Sequence, residues 1–130
     1  MAGHSATLHS WDEVPNERVS PTLDRRLISG ERAMLAQVQL RKGGTVPRHQ
    51  HEHEQFTCVV AGALHFRLGE DGAEEVTVRA GQVLHLPSHV WHEADVLEDS
   101  VVLDVFSPPR EDWLAKTDDY LRVEPAGPGG

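Results

Sequence analysis

The sequence predicts an all-β protein, a sandwich or barrel, with one short C-terminal helix. Three observations carry that expectation. Short apolar stretches recur through the middle of the chain at intervals of roughly 8–12 residues. Gly, Pro, Asn or Asp separates them, and no helical periodicity intervenes. The length, 130 residues, suits one domain with a proper core.

The elements follow in order. Residues 1–30 form an N-terminal segment that supplies one or two edge strands, such as Leu23–Ile28. Residues 31–107 form the main β-body. In it, Met34–Leu40 alternates with Gln37 and Gln39, and Gln55–Ala61 is rich in β-formers and stops at Gly62. Leu64–Leu68 runs into Glu70-Asp71-Gly72, a hairpin turn signal, and Val76–Val78 follows. Val83–Leu86 stops at Pro87, and Val101–Phe106 stops at Pro108-Pro109. Residues 108–130 carry the helix and a tail. Glu111–Arg122 reads as helical, with Trp113, Leu114, Thr117 and Leu121 on its apolar side. From Glu124 onward the tail is rich in Pro and Gly, a composition that frays.

Composition narrows the function. At 38% hydrophobic and 25% charged, the chain resembles an ordinary soluble globular protein. No apolar run approaches the ~18 residues of a membrane span. Met1–Ser10 is polar and lacks the basic start and apolar stretch of a signal peptide. The single cysteine, Cys58, has no internal partner for a disulfide, which fits a reducing cytoplasm. Lying between Thr57 and Val59, it reads as a small buried core residue. A net charge of −9 argues against nucleic acid and anionic membranes as partners.

Histidine is the anomaly. Seven of the nine histidines lie between positions 49 and 92. His49 and His51 are two apart, so on an extended strand they share a face and can reach one metal ion. A straight strand from His49 to Gln55 would span about 20 Å, too far for one ion. The chain must therefore bend near His53, and Gln55 restarts a strand beside the pair. Gly81, Pro87 and His92 frame a strand, a tight turn and the start of the next strand, which carries His92 back toward that cluster. The expected ligands to one divalent ion (Ni, Zn, Mn or Fe) are thus His49, His51, Gln55 and His92. This neutral set leaves the ion its full charge, which favours an anionic ligand and Lewis-acid polarisation. Thr57 and Val59 share the parity of Gln55 and should line the cavity, together with Phe66 or His65. His85, between Leu84 and Leu86, reads as a satisfied core histidine, and Trp91 as pointing away from the site.

These spacings resemble a known family. Gly43, five residues, His49-x-His51, three residues, Gln55, six residues and Gly62 is similar to the first cupin motif. Gln55 stands where most cupins place glutamate. Gly81, five residues, Pro87 and then His92 is similar to the second, with His89 at the usual glycine and Val96 at the usual asparagine. The likeness implies a cupin-type double-stranded β-helix, a jelly-roll barrel. Within the cupins, His49–Gln55, Leu97–Phe106 and Ser107–Trp113 resemble the pectin-degradation protein family. That family promotes conversion of 4,5-unsaturated uronates to linear keto-deoxyuronates, so the resemblance implies a small acidic sugar as substrate. An iron- or manganese-dependent dioxygenase and a non-catalytic metal- or sugar-binding cupin are the alternatives.

The end of the β-body supplies candidate chemistry. Val102, Asp104 and Phe106 share one face, opposite Val101, Leu103 and Val105. An acid inside an apolar strand is costly to bury unless paired. Asp104 is therefore either a general acid/base or a structural carboxylate. The planar fork of Arg110 suits a substrate carboxylate, or else a salt bridge to Asp104 or to the acids that follow it. The resemblance implies that Asp104, Phe106 and Arg110 line the active site. It also suggests a homodimer, its sheet face covered across a two-fold axis by the N-terminal strands with Trp11 or Trp91.

Overall fold

A computed structural model describes residues 5–122. Ten strands and three short helical segments, the first a 3₁₀ turn at Trp11–Glu13, follow one another along the described residues. The strands are β1 (Glu17–Ser20), β2 (Leu23–Ser29), β3 (Met34–Leu40), β4 (Thr45–His49) and β5 (Glu54–Ala61). Then come β6 (Ala63–Leu68), β7 (Glu74–Arg79), β8 (Val83–Leu86), β9 (His92–Val96) and β10 (Ser100–Ser107). They form a six-stranded sheet, β1-β2-β3-β10-β5-β8, and a four-stranded sheet, β4-β9-β6-β7. Every pairing is antiparallel. The two ladders do not join into a closed barrel; each sheet keeps its own hydrogen bonds and buries one face against the other.

The alternation read from the sequence sets that burial. In β3 and β10 every second residue is buried, with Ala36, Val38, Val102 and Phe106 at 3% exposure or less. Leu64, Phe66, Ala94 and Val96 answer them from the smaller sheet. Gly62 alone connects β5 to β6. At φ 91° it takes a conformation L-residues avoid, and a Cβ there would lie 2.2 Å from Ser100 Oγ.

Three expectations change. The helix is much shorter than read: α1 covers only Glu111–Leu114, and a 3₁₀ turn follows at Asp119–Leu121. Lys116, at φ 59°, turns the chain out of the helix between them. Trp113 and Leu121 stay buried, whereas Leu114 and Thr117 are exposed. His85 is exposed on the outer face of the large sheet, not in the core; it stacks on Phe56 at 4.5 Å and bonds Glu54. Cys58 shares that outer face and is only partly buried. Both errors have one cause: in β5 and β8 the outward residues are themselves apolar, so composition hides the parity. The fraying tail expected from Glu124 onward lies outside the described residues.

No helix among the described residues is long and apolar enough to cross a membrane.

The C-terminal segment is tied to the sheets through Arg25. This residue shares the inward parity of Leu23 on β2 and is 0% exposed. Its Nη1 and Nη2 donate to the Asp118 carboxylate at 2.6 and 3.2 Å, and its Nε donates to Glu17 at 3.0 Å. The guanidinium lies 4.4 Å from the centre of the Trp113 ring. Arg122 extends the network to Asp118 and Glu17. A buried cation that loses its main partner costs about 3–5 kcal/mol. Asp118→Ala should therefore unfold at markedly lower denaturant or temperature, near the lower end of that cost because Glu17 remains; calorimetry reads the effect. A change below about 0.5 kcal/mol would mean the pair is not a tether.

Candidate metal centre

The histidines meet where the two sheets face each other. His49 ends β4 and His92 opens β9, and the two are directly opposed in the β4–β9 register. Their ring centres are 4.1 Å apart. His51 lies beyond the end of β4, in the bend before β5, rather than on an extended strand with His49. The bend still brings its ring to 5.2 Å from His92 and 5.5 Å from His49. One nitrogen from each ring falls in a group whose members lie within 4.8 Å of one another. Ligands on opposite sides of one ion are about 4.2 Å apart.

Local bonds decide which nitrogens converge. The Nδ1 of His49 lies 2.7 Å from Pro47 O, that of His51 3.0 Å from His53 O, and that of His92 2.8 Å from Val90 O. A carbonyl only accepts, so each Nδ1 carries the proton and each Nε2 presents a lone pair. Burial, reinforced by mutual repulsion, pushes His49 down to about 3, while burial and the Arg110 charge push His51 down to about 4. Burial also lowers His92. All three are neutral near pH 7.

Gln55, 7% exposed at the start of β5, is oriented as strictly. Its Nε2 donates to Thr57 Oγ1 at 2.9 Å and to Asp104 Oδ1 at 3.3 Å. Thr57 in turn donates to the same Asp104 oxygen at 2.8 Å. That leaves Gln55 Oε1 facing His51 Nε2 at 3.0 Å, one acceptor against another. His92 Nε2 is buried with no hydrogen-bond partner. Acceptors facing one another in a buried site are costly unless a cation lies between them. The donor set, three imidazole nitrogens and one amide oxygen, fits a divalent metal ion.

A chamber of about 50 Å³, room for roughly four waters, opens beside this cluster. His49, Gln55, Thr57, His92, Asp104 and Arg110 line it, with Phe66, Trp113 and Tyr120 among the rest. Asp104 pairs with Thr57 across the β5–β10 ladder and is 7% exposed; burial pushes its carboxyl up to about 6. Its hydrogen bonds to Gln55 and Thr57 both fall on Oδ1. Arg110, 2% exposed, pairs with Asp112 through Nε and Nη2, and not with Asp104. Its Nη1 is buried without a partner.

Other expected lining residues lie elsewhere. Val59 points inward but packs in the core, outside the chamber. Phe106, wholly buried, is set back from it. Its ring supports Trp113 at 5.0 Å and His51 at 6.0 Å, with the Arg110 guanidinium 5.1 Å from its centre. Phe66 lines the chamber, whereas His65 faces outward to Thr77 and Glu75. His89 sits at φ 64°, the left-handed conformation that its motif position calls for, and lies 3.2 Å from Gln50. Trp91 turns away from the site, under the Arg48 guanidinium at 4.9 Å. Tyr120 was missed in the sequence. Its ring lies 4.5 Å from that of His49, and the only signal was a lone tyrosine beside Leu121.

Two facing antiparallel sheets with a partly buried three-histidine cluster between them define a small β-sandwich built around a candidate metal centre. The chain belongs to the cupin family, whose domain model, described as "Cupin domain", matches residues 36–106. Among known proteins it is similar to the pectin degradation protein KdgF of Dickeya dadantii (strain 3937). The two are 28% identical over 105 residues, which is 79% of this chain and 94% of that protein. The solved structure of KdgF from Halomonas sp. is 31% identical with a TM-score of 0.77, covering 84% of this chain and 99% of that one. An RmlC-like cupin from Shewanella frigidimarina NCIMB 400 is 28% identical with a TM-score of 0.76, covering 84% of this chain and 96% of that one.

Proposed function

We propose that the chain holds one divalent metal ion through His49, His51, Gln55 and His92, and uses the adjoining chamber to open and ketonise a 4,5-unsaturated uronate. The observation that carries this reading is the meeting of acceptor atoms beside an unpartnered Arg110 Nη1 and a carboxyl, Asp104, that burial pushes up to about 6. Similarity to two KdgF proteins, one named for pectin degradation, supports the substrate class.

A bound divalent ion supplies Lewis-acid polarisation of a sugar oxygen. The protein's own groups account for the remaining steps. Arg110, braced by Asp112 and packed against the rings of Phe106 and Trp113, turns Nη1 to the substrate carboxylate. Asp104 takes the proton of the anomeric hydroxyl. The oxygen's electron pair forms the C1 carbonyl, the C1–O5 ring bond breaks, and O5 becomes the enolate oxygen on C5. Asp104 then returns its proton to C4, giving the 5-keto acid, so atoms and charge balance without a co-reactant. A carboxyl at about 6 suits both halves of this shuttle.

We also propose a homodimer through the outer face of the six-stranded sheet, to which the N-terminal strands β1 and β2 belong. Leu35, Phe56, Val60 and Val83, among the large apolar side chains left exposed, all lie on the outer face of the six-stranded sheet. A patch of this kind marks an association surface.

Two outcomes follow. Asp104→Asn keeps an acceptor for Gln55 and Thr57 and so keeps fold and metal, while ketonisation of unsaturated galacturonate should fall roughly 10²–10⁴-fold. Wild-type turnover in a folded, metal-loaded variant would remove Asp104 from the mechanism. For the assembly, light scattering should give twice the 14.4 kDa chain mass, and Phe56→Lys should return it to one chain. A single-chain mass for the wild type would refute the dimer.

A further inference from the structure

Tyr120 stands over the chamber in a hydrogen-bonding state that its own protein surroundings leave incomplete. Its Oη accepts from Arg110 Nη2 at 2.8 Å and from Trp113 Nε1 at 3.2 Å. Both partners are obligate donors, so they occupy the acceptor side of the phenol. The phenol's own hydrogen then has to be donated, yet among the described residues it has no acceptor within bonding reach. The adjacent Arg110 Nη1 is in the same condition, buried and without a partner on a side chain that is 3% exposed. Both residues line the chamber that His49, His92 and Asp104 also line.

The phenol is also held in place. Trp113 and Arg110 grip its oxygen, its ring packs against His49, and Asp118, two residues earlier, is tied to Arg25. Two unspent donors, one cationic and one neutral, therefore face one space from a fixed support. A ligand complementary to them presents a pair of acceptor oxygens, which is the chemistry of a carboxylate. Asp112 already offsets part of the Arg110 charge, so a neutral second donor strengthens the grip without adding another buried cation.

We infer that Tyr120 is a carboxylate-positioning residue: its O–H and Arg110 Nη1 together grip the acid group of the sugar. This rests on the uronate reading above and extends it to a residue that contacts the ligand and sets acid-against-neutral selectivity.

The test uses metal-loaded protein, with galacturonate as a non-reacting acid and galactose as its neutral counterpart. In calorimetric titrations Tyr120→Phe should bind galacturonate about tenfold more weakly, the worth of one charge-assisted hydrogen bond. Galactose binding and metal content should match the wild type, and the variant should stay folded with a modestly lower melting temperature, because Trp113 Nε1 loses its acceptor. A second measurement needs no variant. Tyr120 is the only tyrosine in the chain, so tyrosine labelled with ¹³C at Cζ gives one resonance. That resonance should move on saturation with galacturonate and stay still with galactose. If the wild type binds galacturonate while the resonance stays still, or the folded Phe variant keeps wild-type selectivity, the Tyr120 role is overturned and the uronate reading stands. Failure of the wild type to bind galacturonate at all overturns both.

Discussion

Acceptor atoms forced to face one another are the constraint on which this molecule's central region depends. Three backbone carbonyls, on Pro47, His53 and Val90, fix the protons of three imidazoles on the outer nitrogens. The inner nitrogens are then lone pairs. Gln55 could relieve one of them by turning its amide around, but Asp104 and Thr57 hold that amide the other way. A carboxylate on β10 thereby sets the orientation of an amide on β5, and turns the amide oxygen toward the histidines beside β4 and β9, where it would complete the ligand field of a bound cation. The antiparallel register makes the chain of contacts possible, because it opposes His49 to His92 in one sheet and Thr57 to Asp104 in the other. The same Asp104 that braces the amide is the proposed proton carrier, so the structural and chemical readings of that residue describe one arrangement.

The second dependency is the roof. Residues 108–122 are short, irregular and poor in backbone pairing, and they are positioned by ionic contacts together with the buried side chains of Trp113 and Leu121. Arg25, sunk among the apolar residues of β2, reaches out to Asp118, and Arg122 returns to Glu17 near the chain's beginning. The two ends of the described chain are thus held by one cluster of charges. Burying an arginine completely is costly, and this one is tolerated because Glu17, Asp118, the Trp113 carbonyl and the Trp113 ring satisfy it from all sides. This tether holds Tyr120, whose ring packs against His49, beside the chamber.

Much of this was legible in the sequence, and the reasons are physical. Strand limits came through because Gly and Pro end the strands, as Gly62 ends β5. Inward parity came through wherever only one face of a strand is apolar, and it grouped Asp104 with Val102 and Phe106, a face the structure buries. It failed for His85 and Cys58, whose sheet is apolar on its outer face as well. The His49–His92 meeting was legible because motif spacing encodes a turn. The exact path of His51 was not, since a bend obeys no period. Val59 was assigned to the chamber on parity and Phe106 on the family resemblance, and neither gives the depth at which the space ends. Arg25 carried a readable signal, a cation in register with Leu23 and Leu27. Tyr120 carried almost none, because its importance comes from two donors that converge on it only in three dimensions.

The central claim is that four particular atoms hold the ion. Metal-edge X-ray absorption on protein loaded with one equivalent of nickel addresses it directly. The expected spectrum shows scattering from three imidazole rings and an added oxygen shell, and Gln55→Ala alters the oxygen contribution while the imidazole pattern persists. A fully hydrated ion without imidazole scattering, or a spectrum unchanged by His92→Ala, would contradict the account.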